Sequence, residues 1–157
     1  MGFNISVVGA TDSVNFDCSK FIDRNYYNFT TSYDMYGADS VLIKSGDFFN
    51  LDLTKLGVHL YMENEFENDQ QKKDYFDECK IEIDAILPTI KRLRESIENE
   101  PGFLKKVIFS SKEDINQKEY FEGYTSSKGI IEDLSKIIES MLCLKEKGER
   151  SIYFLAG

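Results

Sequence analysis

Seven apolar residues, Phe76, Cys79, Ile83, Ile86, Ile90, Leu93 and Ile97, recur at alternating three- and four-residue steps with no break of phase. On a helix of 3.6 residues per turn that spacing draws one stripe, and a stripe of this kind must be buried against something. It predicts an amphipathic helix over residues 69–98. Pro88 falls inside it, where the ring removes an amide donor and crowds the preceding turn, so a kink is expected there. Because the phase runs through, the pattern favours one bent helix over two separate ones. Pro101-Gly102 ends it. A second helix is predicted over 126–147, with Ile130, Leu134, Ile137, Met141 and Leu144 on one face. Ser126 and Ser127 offer N-caps, and Gly148 suits the left-handed position after the last turn.

The remaining apolar runs read as strands. Phe3, Ile5 and Val7 alternate with Asn4, Ser6 and Val8, the period of two that a strand requires, and Gly9 to Ser13 reads as the turn after it. SVLIK (40–44), VHLYM (58–62), VIF (107–109) and SIYFL (151–155) are short, apolar and rich in β-branched or aromatic residues. For residues 17–36 a short helix near 17–25 followed by extended chain is expected. The order of elements gives an α+β fold: a mainly antiparallel sheet with two long amphipathic helices packed on one face, in a single domain spanning 1–157. A chain of 157 residues is long enough for this, burying roughly 70% of the surface its unfolded form exposes.

The stretch VVGAT at 7–11 resembles the entry to a nucleotide site but does not complete one. A dinucleotide fingerprint needs G-x-G-x-x-G, so that backbone amides can approach pyrophosphate; here Gly9 is followed by Ala10, Thr11, Asp12 and Ser13. No P-loop is present either, and Asp12 would repel a phosphate. No cofactor is expected.

Net charge is −9. An acidic chain repels phosphate backbones, which argues against nucleic acid and for a basic protein as partner. No run approaches the roughly 20 apolar residues that span a bilayer. The first residues lack the basic region of a signal peptide, and Asn4 and Ser6 interrupt their apolar run. Cys18, Cys79 and Cys143 are odd in number and far apart. They predict buried thiols in a reducing, cytoplasmic setting, not a disulfide framework or a zinc site.

No catalytic or metal-binding constellation stands out. His59 is the only histidine. It shares an i, i+4 spacing with Glu63, which would pair two metal ligands on a helix but splays them apart in the strand expected here. Cys18 and Cys79 could be reactive only in an electropositive niche, and Cys79 holds an apolar phase position. The most distinctive polar segment is ENEFENDQQKKDYFDE, residues 63–78. Glu63, Glu65, Glu67, Asp69, Asp74, Asp77 and Glu78 surround Phe66, Tyr75 and Phe76, while Lys72 and Lys73 oppose them. In the plainer reading this is a solvated loop with acids at a helix N-terminus, where the macrodipole favours them. In the functional one, carboxylates steer and pair with a basic partner while Phe66 and Tyr75 supply anchors.

In size, acidity, Asn/Lys/Ile/Glu-rich composition and the closing unit GIIEDLSKIIESMLCLKEKGERSIYFLAG, the chain resembles the bacterial immunity proteins of contact-dependent inhibition and other polymorphic toxin systems. The resemblance implies a non-enzymatic inhibitor that plugs the active site of a cognate toxin, as a monomer or weak homo-oligomer. A nuclease toxin has a basic surface, so an acidic inhibitor suits it. Two other classes stay open: a structural or phage-related assembly protein using an apolar stripe as its seam, and a small enzyme with dispersed residues.

Overall fold

The computed structural model of the chain describes residues 4–10, 18, 22–23, 41–53, 59–60, 66–100, 102–106 and 129–156. Its sheet is built on one strand. β5 (Ser151–Ala156) pairs antiparallel with β1 (Asn4–Gly9) in a register running from Ile5↔Ala156 to Gly9↔Ile152. The other edge of β5 is shared end to end. β4 (Ile81–Glu82) lies antiparallel beside Ser151 and Ile152, and β3 (His59–Leu60) runs parallel beside Leu155 and Ala156. β2 (Ile22–Asp23) pairs antiparallel with the far edge of β1. Of the strand predicted for residues 3–8, the described residues 4–8 lie in β1. Val7, Gly9, Ile152 and Ile81 fall on one face of the pleat, and all four are buried.

Two long helices cover that face. α3 (Ile83–Asn99) packs against α4 (Gly129–Glu146), and α4 lies across β1. Ile83, Ile86, Leu87, Ile90, Leu93 and Ile97 of α3 meet Ile130, Leu134, Ile137, Ile138, Met141 and Leu144 of α4 in one core. Each such side chain contributes roughly 1.5–3 kcal/mol on burial. The ion pair that joins the two helices, Lys145 Nζ to Asp84 Oδ1 at 2.6 Å, is more than half exposed at both ends and contributes about 0–1 kcal/mol. Apolar packing holds the helices together. The α+β architecture read from the sequence is the one observed.

Five expectations about its parts need correction. The continuous helix over 69–98 is two helices, α2 (Asp69–Cys79) and α3, separated by Lys80 and strand β4. The apolar phase survives the break because Cys79 and Ile83 are four apart whether or not the chain is helical between them. What breaks it is the alternation Lys80, Ile81, Glu82, Ile83, in which both isoleucines are buried and both charged residues exposed. Ile81 gains the core by pairing opposite Ile152, and the Ile83 amide donates to the Arg150 carbonyl at 2.9 Å, extending the ladder into the helix start. Pro88 consequently sits in the second turn of a helix that begins at Ile83, not midway along a longer one.

The SVLIK segment is not a strand: Val41–Phe48 forms helix α1. Its β-branched residues favour a strand, but its end is fixed by tertiary contacts. Gly46 lies so close to the returning chain that a Cβ would stand 2.8 Å from Leu53 Cδ1 and 2.9 Å from the Leu51 carbonyl oxygen. Asn50 takes φ 57°, the Leu51 amide donates to Gly46 O at 2.7 Å, and the Asn50 amide to Asp47 O at 3.1 Å. That is a Schellman closure. Phe48 and Phe49 then stack near the fully buried Phe103, with ring centroids 5.7 and 5.2 Å from it. Residues 22 and 23, placed in a short helix by sequence, are the strand β2; the rest of 17–36 apart from Cys18 lies outside the described residues, as does 107–109. Gly9, expected in a turn, is the last residue of β1.

The fifth correction concerns the thiols. Cys18 and Cys143 form a disulfide, with Cα atoms 5.4 Å apart and a sequence separation of 125. Cys18 is buried in the core, and Cys143 packs against it. An odd cysteine count hid the pair, since two of three can bond across any spacing.

Gly148, by contrast, does what its position after the second helix predicts. It has φ 92°, and the Glu149 and Gly148 amides donate to Leu144 O and Lys145 O, each at 3.0 Å. This second Schellman closure turns the chain sharply from α4 into β5.

Candidate functional site

The acidic segment falls on α2 and its entry. Asn68 caps the helix, its Oδ1 accepting from the Gln71 amide at 2.8 Å, and Gln71 reaches back so that its Oε1 accepts from the Glu67 amide at 2.6 Å. This reciprocal pair, close kin to a capping box, fixes the first turn. Asp69 in that turn is favourably placed against the helix macrodipole.

Glu67, Asp69, Asp74 and Asp77 are all exposed. At 100° per residue Asp69, Asp74, Asp77 and Glu78 share one half of the α2 cylinder, with Lys73 among them. Two of these carboxylates are already engaged. Asp74 Oδ1 accepts from Gln70 Nε2 at 2.8 Å, and Asp77 Oδ1 lies 3.7 Å from Lys80 Nζ. Phe66 is half-buried at the helix entry. Glu63 and Glu65 lie outside the described residues, and Tyr75 and Glu78 are placed only by their backbone on α2. The helix therefore gathers Glu67, Asp69, Asp74 and Asp77 into one polar surface, with Lys72, Lys73 and Lys80 diluting it.

A second concavity lies where α3 begins and β5 is approached. Ile83, Asp84, Lys145, Gly148, Glu149 and Arg150 line a cleft of about 320 Å³. The Asp84–Lys145 pair spans it, and the buried Glu149 side chain runs beneath it over Gly9, where a Cβ would stand 2.5 Å from the carboxyl carbon. Nothing in the sequence marked this site. Glu149 lies in the polar turn KEKGER, whose composition suggests solvent, and it is buried because the Schellman turn folds it inward.

His59 lies in strand β3, paired opposite Leu155, as its sequence context predicts. Cys79 ends α2. Among the described residues no group of three or more His, Cys, Asp and Glu side chains could hold a metal ion, and no helix is long and apolar enough to cross a membrane. Compared with protein families, curated proteins and solved structures, the chain matches none.

Proposed function

We propose that the chain is a stoichiometric protein-binding inhibitor, an immunity protein that neutralises a basic, nuclease-like toxin by covering its active site. The observation that carries this reading is the capped, exposed acidic face of α2, formed by Glu67, Asp69, Asp74 and Asp77. A helix fixed at its first turn presents carboxylates at little further entropic cost, and carboxylates so presented steer a cationic surface and set its register. The half-buried Phe66 at the edge of that face supplies an apolar contact. The described apolar stripes of α3 and α4 pack on each other and on the sheet, which weighs against their use as a self-assembly seam. Such an inhibitor acts in the cytoplasm, a reducing compartment in which the Cys18–Cys143 bond is retained only if its burial resists reduction.

The test is a titration of the purified chain against the toxin domain encoded beside it, by calorimetry at low and moderate salt. One-to-one binding that weakens with salt is expected, and the triple variant Glu67→Lys, Asp69→Lys, Asp74→Lys should lose roughly 100-fold in affinity, mostly through slower association. Absence of binding by the wild-type chain at low salt sinks the reading.

A further inference from the structure

The position of the disulfide relative to the sheet carries a consequence of its own. The β1–β5 ladder ends where the Ala10 amide donates to the Ser151 carbonyl at 2.9 Å. Cys18 lies eight residues beyond that rung along one chain, and Cys143 eight residues before it along the other. The covalent bond and the ladder thus close one small ring at the end of the sheet that α4 enters. Opening the ladder from this end would require the strands to separate while the bond still holds their flanks together. Cys18 is 1% exposed whereas Cys143 is only partly buried, so a reductant meets the bond more readily at the Cys143 sulfur.

We propose that Cys18–Cys143 is a redox-sensitive clamp on the β1–β5 ladder, locking the two strands together when oxidised and freeing them to separate when reduced. In forming the bond the two thiols give up two protons and two electrons. A disulfide-class oxidant accepts them by exchange and leaves as two thiols; a dithiol reductant reverses the step through a mixed disulfide. Because the bond closes a ring of 125 residues in sequence separation, it removes much of the freedom of the unfolded chain and so stabilises the native fold as a whole. Its particular effect on the ladder is local. The inference does not rest on the inhibitor reading, and either can fail alone.

The full-length chain is refolded in a glutathione redox couple, and its thiols are alkylated in denaturant. One modifiable thiol, mapped to Cys79, is expected before reduction and three after it. The melting temperature should fall by roughly 10–20 °C on reduction. Native-state hydrogen exchange should then show the amides of Val8, Ala10 and Tyr153, which face across the ladder, losing at least about tenfold more protection than those of Ile90 and Leu93. A Cys18→Ser/Cys143→Ser variant should match the reduced wild type, and Cys79→Ser the oxidised one. Should the double variant not fold, exchange on the reduced wild-type chain decides. Three modifiable thiols after refolding, or a bond mapped to Cys79, overturns the proposal. So does equal loss of protection in the ladder and in α3, which would make the bond a general brace and not a clamp.

Discussion

Gly9 and Glu149 are fitted to each other. The glycine ends a strand at an ordinary backbone conformation, so its lack of a side chain matters for space, not for φ. A Cβ there would stand 2.5 Å from the Glu149 carboxyl and 2.8 Å from its Cγ, and the buried Glu149 can give way only toward the cleft that it lines. Gly9→Ala is expected to cost about 1 kcal/mol, the low end of overpacking, because what the new methyl meets is the end of a flexible side chain that can shift into the cleft. Combined with Glu149→Ala the added cost should largely vanish, a non-additivity that a double-mutant cycle in urea measures directly. Ser140 presents the opposite case. It is fully buried on α4, and its hydroxyl has no hydrogen-bond partner among the described residues, whereas Ser135 on the same helix donates back to Ile131 O at 2.7 Å. Ser140→Ala should therefore raise stability by about 1 kcal/mol, read as a higher denaturation midpoint at unchanged slope.

For the secondary elements, burial decides more than charge. Ile90 on α3 is wholly buried between that helix and the rest of the core, and Ile90→Ala should cost about 2–5 kcal/mol. Asp84→Asn removes the exposed pair with Lys145 and should cost less than about 1 kcal/mol, the loss shrinking further at high salt. Parallel chemical denaturation of the two variants checks both the order and the gap. How well each element could be read from sequence follows the same physics. α4 and its Gly148 closure were legible because a long stripe and a left-handed glycine are local signals. The break at Lys80 was masked, since one stripe can run through two helices, although the Lys80–Ile83 alternation marked it in miniature. α1 was misread as a strand because the contacts that settle its end, between Gly46 and Leu53, lie seven residues apart and leave no periodic trace. The α2 site was legible as a cluster of acids; its capping by Asn68 and Gln71 and its dilution by Lys80 required the fold. The cleft beside Glu149 and the disulfide were not legible at all, because each joins segments that the sequence gives no reason to bring together.

Across the whole molecule the sheet depends on a single strand. Of the four other described strands, β1, β3 and β4 all pair with β5, and β2 reaches the sheet only through β1. β5 is also the last of the five to leave the ribosome, after residue 150 has been added. At synthesis rates of roughly 5–20 residues per second, β1 waits on the order of ten seconds for the partner that gives it a neighbour on its β5 side. Through that interval the helices can form locally, but the edges meant for β5 stay open, and open edges are what pair wrongly between nascent chains. The hub strand thus makes completion of the sheet wait on the last of its described strands, and leaves the growing chain in most need of a chaperone just before that strand is made.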